Sequence, residues 1–262
     1  MGRGLQMIVN VRTKRGREAD VGAFKQAMLA NDAVMQFYFV TGRNDYVVIY
    51  AAASMEDYDE FIESILAIDP NLLTETNVVI RVLKAGLSVP IPPMPRPKVE
   101  VPKARNGHAP INLDQLDLRL LRALQERCTL TAEELAESCG TSPSTALRRL
   151  HRFRTSGVIR REVALVDATK IGRGLLLMVA VRLEREDGPA VEEFVERVSS
   201  HPNVQQFYFV TGTSDYFIIF SAGCMEEYDD FLKANLVRDP VVVMSNTNVV
   251  IRPLKASLAF PI

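Results

Sequence analysis

Apolar residues in the C-terminal third of the chain follow the pattern of a small α/β domain. Short apolar runs rich in β-branched and aromatic residues alternate with segments whose apolar residues recur at helical spacing. The predicted elements are a strand at 175–183, a helix from Pro189, strands at 204–210 and 216–222, a helix at 225–236 and a strand at 248–254. The order βαββαβ is the ferredoxin-like split βαβ arrangement. Because its helices cover one face of the sheet, we expect the other face to pack on a second domain of the same kind.

The same pattern occurs a second time at the start of the chain. VMQFYFVTGRNDYVVIYAAASMEDYDEF at 34–61 matches VQQFYFVTGTSDYFIIFSAGCMEEYDDF at 204–231, with an offset of 170 that becomes 171 near the end. Similarity of this length does not arise by chance. We therefore predict two copies of one domain, copy 1 at 1–91 and copy 2 at 172–262, whose sheets pair within a chain or between chains.

The segment 113–171, between the copies, has the pattern of a helix-turn-helix domain of the winged type. Leucines at helical spacing over 116–124 predict a first helix. Thr131 and Glu134 form a capping box for a second helix, and Gly140 ends it. Ser142 followed by Pro143 predicts the cap and first turn of a third helix directly after this turn.

The third helix carries the candidate DNA contacts. An arc of about 140° contains Ser144, Thr145, Arg148, Arg149 and Arg152. No acidic residue lies between Ser138 and Arg161 to screen the arginines. The predicted DNA-binding residues are Ser142, Ser144, Thr145, Arg148, Arg149, Arg152 and Arg160. The residues predicted to pack on the first two helices are Ala146, Leu147, Leu150 and Phe153. After the helix, Gly157 begins a predicted exit turn and strand. The alternative to DNA binding is that the third helix is a basic surface helix without a ligand.

A proline-rich linker is predicted at 92–112, before the helix-turn-helix. Half of the chain's 14 prolines lie between Pro90 and Pro110, which favours an extended, semi-rigid spacer. Its charged residues are mostly basic. It is either a solvated spacer or an arm that touches DNA phosphates.

Composition narrows the classes of function. A net charge of −1 excludes a uniformly basic nucleic-acid coat, so DNA contacts depend on local clustering. Three widely separated cysteines without a CxxC pair argue for a reducing compartment and against a metal site or a disulfide framework. No signal peptide, membrane span, catalytic constellation or cofactor motif is recognised. We expect a cytoplasmic protein that is not an enzyme and has no cofactor, no metal and no membrane partner.

Three segments, LDQLDLRLLRALQ, TAEELAESCGTSPSTALRRLHRF and VTGTSDYFIIF, together with GVIRREVALVDATKIG, resemble the Lrp/AsnC family of prokaryotic transcription factors. The resemblance covers 113–262 and again 1–91. It implies α+β effector domains of the αβ-sandwich type that dimerise and often bind an amino acid or related metabolite. It places the pocket between domains near a Gly-x-x-Asp hairpin, which corresponds here to Gly42 and Asp45, and to Gly212 and Asp215. The alternative is that these four residues serve hairpin geometry alone.

The order of domains departs from the family pattern, in which the helix-turn-helix comes first. Copy 1 begins at Met1 with no DNA-binding domain before it, which leaves the number of DNA-binding units per assembly open. The predicted function is sequence-specific regulation of transcription in response to a small molecule. Predicted partners are double-stranded DNA, an effector of amino-acid type, and further copies of the chain that supply a second reading head.

Two other functions are alternatives for a chain with this order of elements. Sirohaem decarboxylases share this build but have a histidine near the second strand, and neither QFYFVTGRNDY nor QFYFVTGTSDY contains one. The second alternative is a metabolite-binding assembly module whose helix-turn-helix is vestigial. The intact cap, core and arginines of the third helix argue against that reading.

Overall fold

The chain folds into two compact units, as seen in a computed structural model that describes residues 4–13, 18–86, 112–184 and 187–257. One unit contains both copies of the repeat, residues 1–91 with 165–261, and the other contains residues 92–164. The predicted linker falls almost entirely outside the described residues. In the described part of the chain, no helix is both long and apolar enough to cross a membrane.

Each copy of the repeat has the predicted element order βαββαβ. In copy 1 the elements are β1 (Leu5–Arg12), α1 (Glu18–Ala30), β2 (Val34–Val40), β3 (Tyr46–Ala52), α2 (Met55–Ile68) and β4 (Leu73–Lys84). In copy 2 they are β5 (Leu175–Leu183), α6 (Pro189–Ser200), β6 (Val204–Val210), β7 (Tyr216–Ala222), α7 (Met225–Leu232) and β8 (Val242–Ala256). Two elements of copy 2 have bounds that differ from the predictions. A π-helical segment, Lys233–Val237, replaces the last turn of the second predicted helix of copy 2, and β8 starts six residues earlier than the predicted strand at 248–254.

The two sheets join into one closed barrel within a single chain. In the described residues the strands follow the order β1-β3-β2-β8-β5-β7-β6-β4, and β4 pairs again with β1. Two antiparallel seams connect the copies: β2 pairs with β8, and β4 pairs with β6. The long last strand of each copy thus completes the sheet of the other.

The faces of the two sheets that lack helices pack together inside this barrel. A core cluster inside the barrel takes Ile8 and Ile49 from copy 1 and Met178 and Ile219 from copy 2, each fully buried. At its centre Tyr38 and Tyr208 donate to Gln36 and Gln206, and the two glutamine side chains are hydrogen-bonded to each other. Each copy also has its own core between sheet and helices. The predicted pairing of open faces therefore occurs within one chain.

Three helices form the second unit: α3 (Gln115–Glu126), α4 (Ala132–Cys139) and α5 (Pro143–Thr155). The predicted capping box of Thr131 and Glu134 starts α4, and Gly140 ends it at φ 64°, in the left-handed region that glycine adopts without strain. The turn between α4 and α5 is short because Ser142 and Pro143 begin α5 at once. The predicted exit strand is wrong: residues 157–168 are all described and form no strand, so neither that strand nor a wing adjoins the three helices.

Candidate nucleic-acid interface

The N-terminus of α5 presents three hydroxyl side chains. Ser142 Oγ accepts from the Thr145 N–H at 3.3 Å, which caps the helix. It also forms hydrogen bonds with the hydroxyls of Ser144, at 3.1 Å, and Thr145, at 2.9 Å. Ser142 and Ser144 are exposed. Hydroxyls beside unpaired N–H groups at a helix N-terminus suit contacts with phosphate oxygens.

The outer face of α5 presents Arg148. Its side chain is exposed, and it forms no ion pair with another described residue. With Arg149 and Arg152 it lines a surface depression. Ala146, Leu150 and Phe153 are buried on the opposite side, as predicted. Leu147 was predicted to be buried with them but is 54% exposed, because it lies about 100° from Ala146 and so beyond the buried stripe.

Two of the predicted DNA-binding arginines are tied to the first turn of α3. Arg149 Nη1 donates to both oxygens of Asp114 at 2.6 Å and to Asp117 Oδ1 at 2.7 Å. Arg152 pairs with the other oxygen of Asp117. The prediction that no acidic residue screens the arginines is therefore wrong for Arg149 and Arg152, because their acidic partners lie on α3 and not on α5. The Arg149 side chain is only 19% exposed, whereas that of Arg152 is 46% exposed.

Asp114 and Asp117 also cap α3. Asp114 accepts from the Asp117 N–H at 2.8 Å, and Asp117 accepts from the Asp114 N–H at 3.0 Å, a reciprocal capping box. Burial alone would raise the pKa of Asp117, but hydrogen bonds from Arg149, the Asp114 N–H and Arg152 outweigh it, so this pKa lies below its usual value. The pKa of Asp114 is lowered mainly by its hydrogen bonds from Arg149. Both carboxyls are thus held ionised.

Arg160 lies outside the helix. It follows Gly157, whose φ of 75° reverses the chain after α5, and its side chain is exposed. The structure brings Ser142, Ser144, Thr145, Arg148 and Arg152 together on α5, turns Arg149 towards α3, and places Arg160 in the segment that follows.

The importance of Asp114 and Asp117 was missed at the level of sequence. The letters DQLD carry the spacing of a capping box, which was a readable signal. Their contact with α5 depends on packing between residues more than 30 positions apart, and no local pattern encodes that.

The predicted effector residues lie in two equivalent hairpins at the copy–copy seams. Gly42 and Gly212 have φ values of 106° and 118°. A Cβ on Gly42 would lie 2.6 Å from Asn248 Oδ1, and one on Gly212 would lie 2.7 Å from Asn77 Oδ1. Each hairpin therefore touches the last strand of the other copy, and both backbone conformation and space require glycine.

The hairpin aspartates Asp45 and Asp215 accept hydrogen bonds from residues at the ends of β1 and β5. Asp45 Oδ2 accepts from the N–H of Thr13 at 2.7 Å and from its hydroxyl at 2.9 Å. Asp215 Oδ2 accepts from the Leu183 N–H at 2.7 Å. These contacts give both residues a structural role, and their part in effector binding stays a prediction.

The family models match this arrangement of domains. The "Lrp/AsnC ligand binding domain" matches residues 6–89 and 176–260, and the "AsnC-type helix-turn-helix domain" matches 113–154. The matched helix-turn-helix contains all of α3 and α4 and nearly all of α5. The chain belongs to the Lrp/AsnC family. It is a DNA-binding transcriptional regulator with a duplicated ligand-binding domain, and its family is not one of enzymes.

Individual proteins to which the chain is similar are also named as regulators or regulatory proteins. The chain is 38% identical over 152 residues to the uncharacterized HTH-type transcriptional regulator y4tD of Sinorhizobium fredii, covering 58% of this chain and 90% of that one. It is 32% identical to a leucine-responsive regulatory protein of Rhizobium meliloti, covering 55% and 93%. A transcriptional regulator of Neisseria meningitidis, solved as a complex with L-methionine, is similar at 29% identity and a TM-score of 0.54, covering 57% and 97%.

Proposed function

We propose that this Lrp/AsnC regulator reads DNA with the outer face of α5 and that an amino acid bound to its barrel changes its DNA affinity. The observation that carries the first part is the exposed Arg148 beside the hydroxyl-rich N-terminus of α5, on a helix whose other side is buried. A helix of this build lies in a major groove, where its exposed face meets base edges and its N-terminus meets phosphates. Such regulation takes place in the cytoplasm, where the chromosome is.

Within this proposal the arginines have different tasks. Arg148 contacts bases or phosphates, and Arg152 reaches phosphate from its half-exposed position. Arg149, held by Asp114 and Asp117, sets the position of α5 on α3. Ser142, Ser144, Thr145 and Arg160 contact the DNA backbone on either side.

The effector is proposed to be an amino acid, bound near the hairpins of Gly42 and Asp45 or of Gly212 and Asp215. Support comes from the ligand-binding domain match and from the L-methionine complex of the Neisseria meningitidis relative. Since one chain already contains a complete pair of copies, we propose that two chains associate to supply two reading heads to a pseudo-palindromic site.

The test begins with enrichment of DNA sequences from a random duplex library by the full chain. We expect a single recurring motif with wild-type protein and weaker enrichment of that motif with Arg148→Ala. The anisotropy of an enriched, labelled duplex is then measured with and without L-methionine and L-leucine. A change in affinity supports the amino-acid response, and the absence of any enriched motif would contradict the DNA-reading function.

A further inference from the structure

The two ends of the barrel carry different chemistry although the fold repeats. The hairpin of copy 2 lies against β4, where the Thr211 N–H donates to the Val78 carbonyl at 2.9 Å and Gly212 contacts the Asn77 side chain. The hairpin of copy 1 lies in the same way against β8, where the Thr41 N–H donates to the Val249 carbonyl at 2.8 Å and Gly42 contacts the Asn248 side chain. We call these places the Gly212 end and the Gly42 end.

Three acceptor groups share one face of the sheet at the Gly212 end. Asn10 pairs with Glu75 across β1 and β4, and Ile8 pairs with Asn77. Ile8 belongs to the core inside the barrel. Because alternate residues of a strand share a face, Asn10, Glu75 and Asn77 lie on that inner face as well.

The deeper two of these groups lack partners. Asn10 and Asn77 are 6% and 2% exposed. Within the described part of the chain, their Oδ1 atoms are buried without a hydrogen bond. Glu75 is exposed, and its carboxylate accepts from the Thr213 hydroxyl. Buried oxygens without donors call for a ligand or water that donates.

The Gly42 end provides an internal comparison. Its equivalent of Asn77 is Asn248, whose Oδ1 is likewise buried without a partner, so this feature accompanies the hairpin contact at both ends. The other positions differ: Ala180 stands for Asn10, and Asn246 stands for Glu75. Arg43 takes the place of Thr213. The Gly42 end therefore has two acceptor side chains, both amides, where the Gly212 end has three; it lacks the carboxylate and carries a cation.

We propose that the Gly212 end binds the primary ammonium group of the effector through Asn10, Glu75 and Asn77, and that the Gly42 end does not. An ammonium group has three donors and no acceptor, which matches two amide oxygens and a carboxylate. The chain then binds one ammonium ligand, not two. This inference rests on the proposed response to an amino acid.

Calorimetric titration of the full chain tests the site. The probes are L-methionine, 3-(methylthio)propylamine, which lacks the carboxylate, and 4-(methylthio)butanoate, which lacks the amine. We expect L-methionine and the amine to bind with one site per chain, and the butanoate to bind far more weakly. Two sites per chain, equal binding of the butanoate, or no heat with the amine at millimolar concentration would each overturn the proposal. Binding of calcium chloride in place of the amine would make it a metal site and overturn it too.

Matched variants locate the binding. Glu75→Gln and Asn10→Ala should weaken amine binding by about tenfold and about fivefold, the sizes expected for a charged and a neutral hydrogen bond. Alanine already occupies the position equivalent to Asn10 in copy 2, so that variant is compatible with the fold. Thr213→Val removes the hydrogen bond to Glu75 but keeps the charge, and Asn246→Ala changes the other end. Both controls should bind as wild type, and an unchanged affinity in Glu75→Gln would overturn the proposal.

Transplanting the three differences supplies a gain of function. The triple variant Ala180→Asn, Asn246→Glu, Arg43→Thr should raise the number of amine sites from one to two per chain.

DNA affinity in the presence of L-methionine separates this inference from the proposed function. If L-methionine shifts DNA affinity equally in wild type and Glu75→Gln, the amino-acid response stands and the ammonium site falls. If the amine binds but no amino acid shifts DNA affinity, the site stands and the response falls.

Discussion

The carboxylate of Asp117 connects the first turn of α3 with two arginines of α5. Its side chain is 1% exposed, and its oxygens accept from Arg149, Arg152 and the Asp114 N–H. Charge-assisted hydrogen bonds of this kind fix geometry as well as energy. The orientation of the recognition helix therefore depends on a residue outside it.

Replacement of this carboxylate should loosen α5. We expect Asp117→Asn to lower the free energy of unfolding of the helix-turn-helix by about 2 kcal/mol, because two hydrogen bonds to charged groups are weakened while both arginines keep access to water. Urea denaturation followed by far-ultraviolet circular dichroism measures this. Glu162→Gln is the control, since it breaks an exposed pair with Arg154 and should change stability by less than about 0.5 kcal/mol. Equal losses in the two variants would contradict the positioning role.

The same carboxyls make the helix-turn-helix sensitive to acid. The pKa values of Asp114 and Asp117 are lowered in the folded chain. Their contribution to stability is therefore complete above the pKa of the unfolded chain, about 4, and is lost as the pH falls through the pKa values of the folded chain. Hydrogen exchange by mass spectrometry should show α3 and α5 losing protection at acid pH more steeply in wild type than in Asp117→Asn. Parallel curves would contradict this linkage.

Helix capping defines the start of each element in the helix-turn-helix. Thr131 caps α4 and Ser142 caps α5, each accepting from the backbone N–H three residues on. We expect Thr131→Ala and Ser142→Ala each to cost about 1 kcal/mol of unfolding free energy. Only Ser142→Ala should also weaken DNA binding, because Ser142 lies at the proposed interface. Equal DNA affinities at full folding would contradict the contact assigned to Ser142.

Local signals were sufficient for most elements. The strands Leu175–Leu183, Val204–Val210 and Tyr216–Ala222 begin and end where the apolar pattern predicts, because their boundaries coincide with turn residues. The π-helical segment after Leu232 was not predictable, since its apolar spacing continues that of the preceding helix. The exposed Leu147 shows the limit of a simple apolar count, because position around the helix decides burial.

The closed barrel is a property of the whole chain. Duplication of the sequence predicted that two sheets pair, but the choice between pairing within and between chains is not local information. The structure makes both seams within one chain, through β2 with β8 and β4 with β6. The difference in acceptor side chains between the two barrel ends was likewise not predictable from local sequence, because it depends on the register of β1 on β4.

A cross-link tests the intrachain seam. Arg81 lies opposite Phe209 across β4 and β6, and directly opposed strand residues are within disulfide range. In a background without Cys128, Cys139 and Cys224, the pair Arg81→Cys and Phe209→Cys should oxidise to a disulfide within a monomer. The single variants are the controls. Denaturing gels without reductant would show a covalent dimer instead if the seam joined two chains.

The most direct measurement of the DNA-reading claim is the salt dependence of affinity on an enriched duplex. Arg148→Ala and Arg154→Ala each remove one positive charge from α5, but Arg154 is paired with Glu162 on another side of the helix. For wild type and both variants, the logarithm of Kd is measured against the logarithm of the potassium chloride concentration. A phosphate or base contact from Arg148 predicts weaker binding and a slope smaller by about 1 in Arg148→Ala, with Arg154→Ala close to wild type. Equal affinities and slopes in the two variants would contradict the assignment of this face of α5 to DNA.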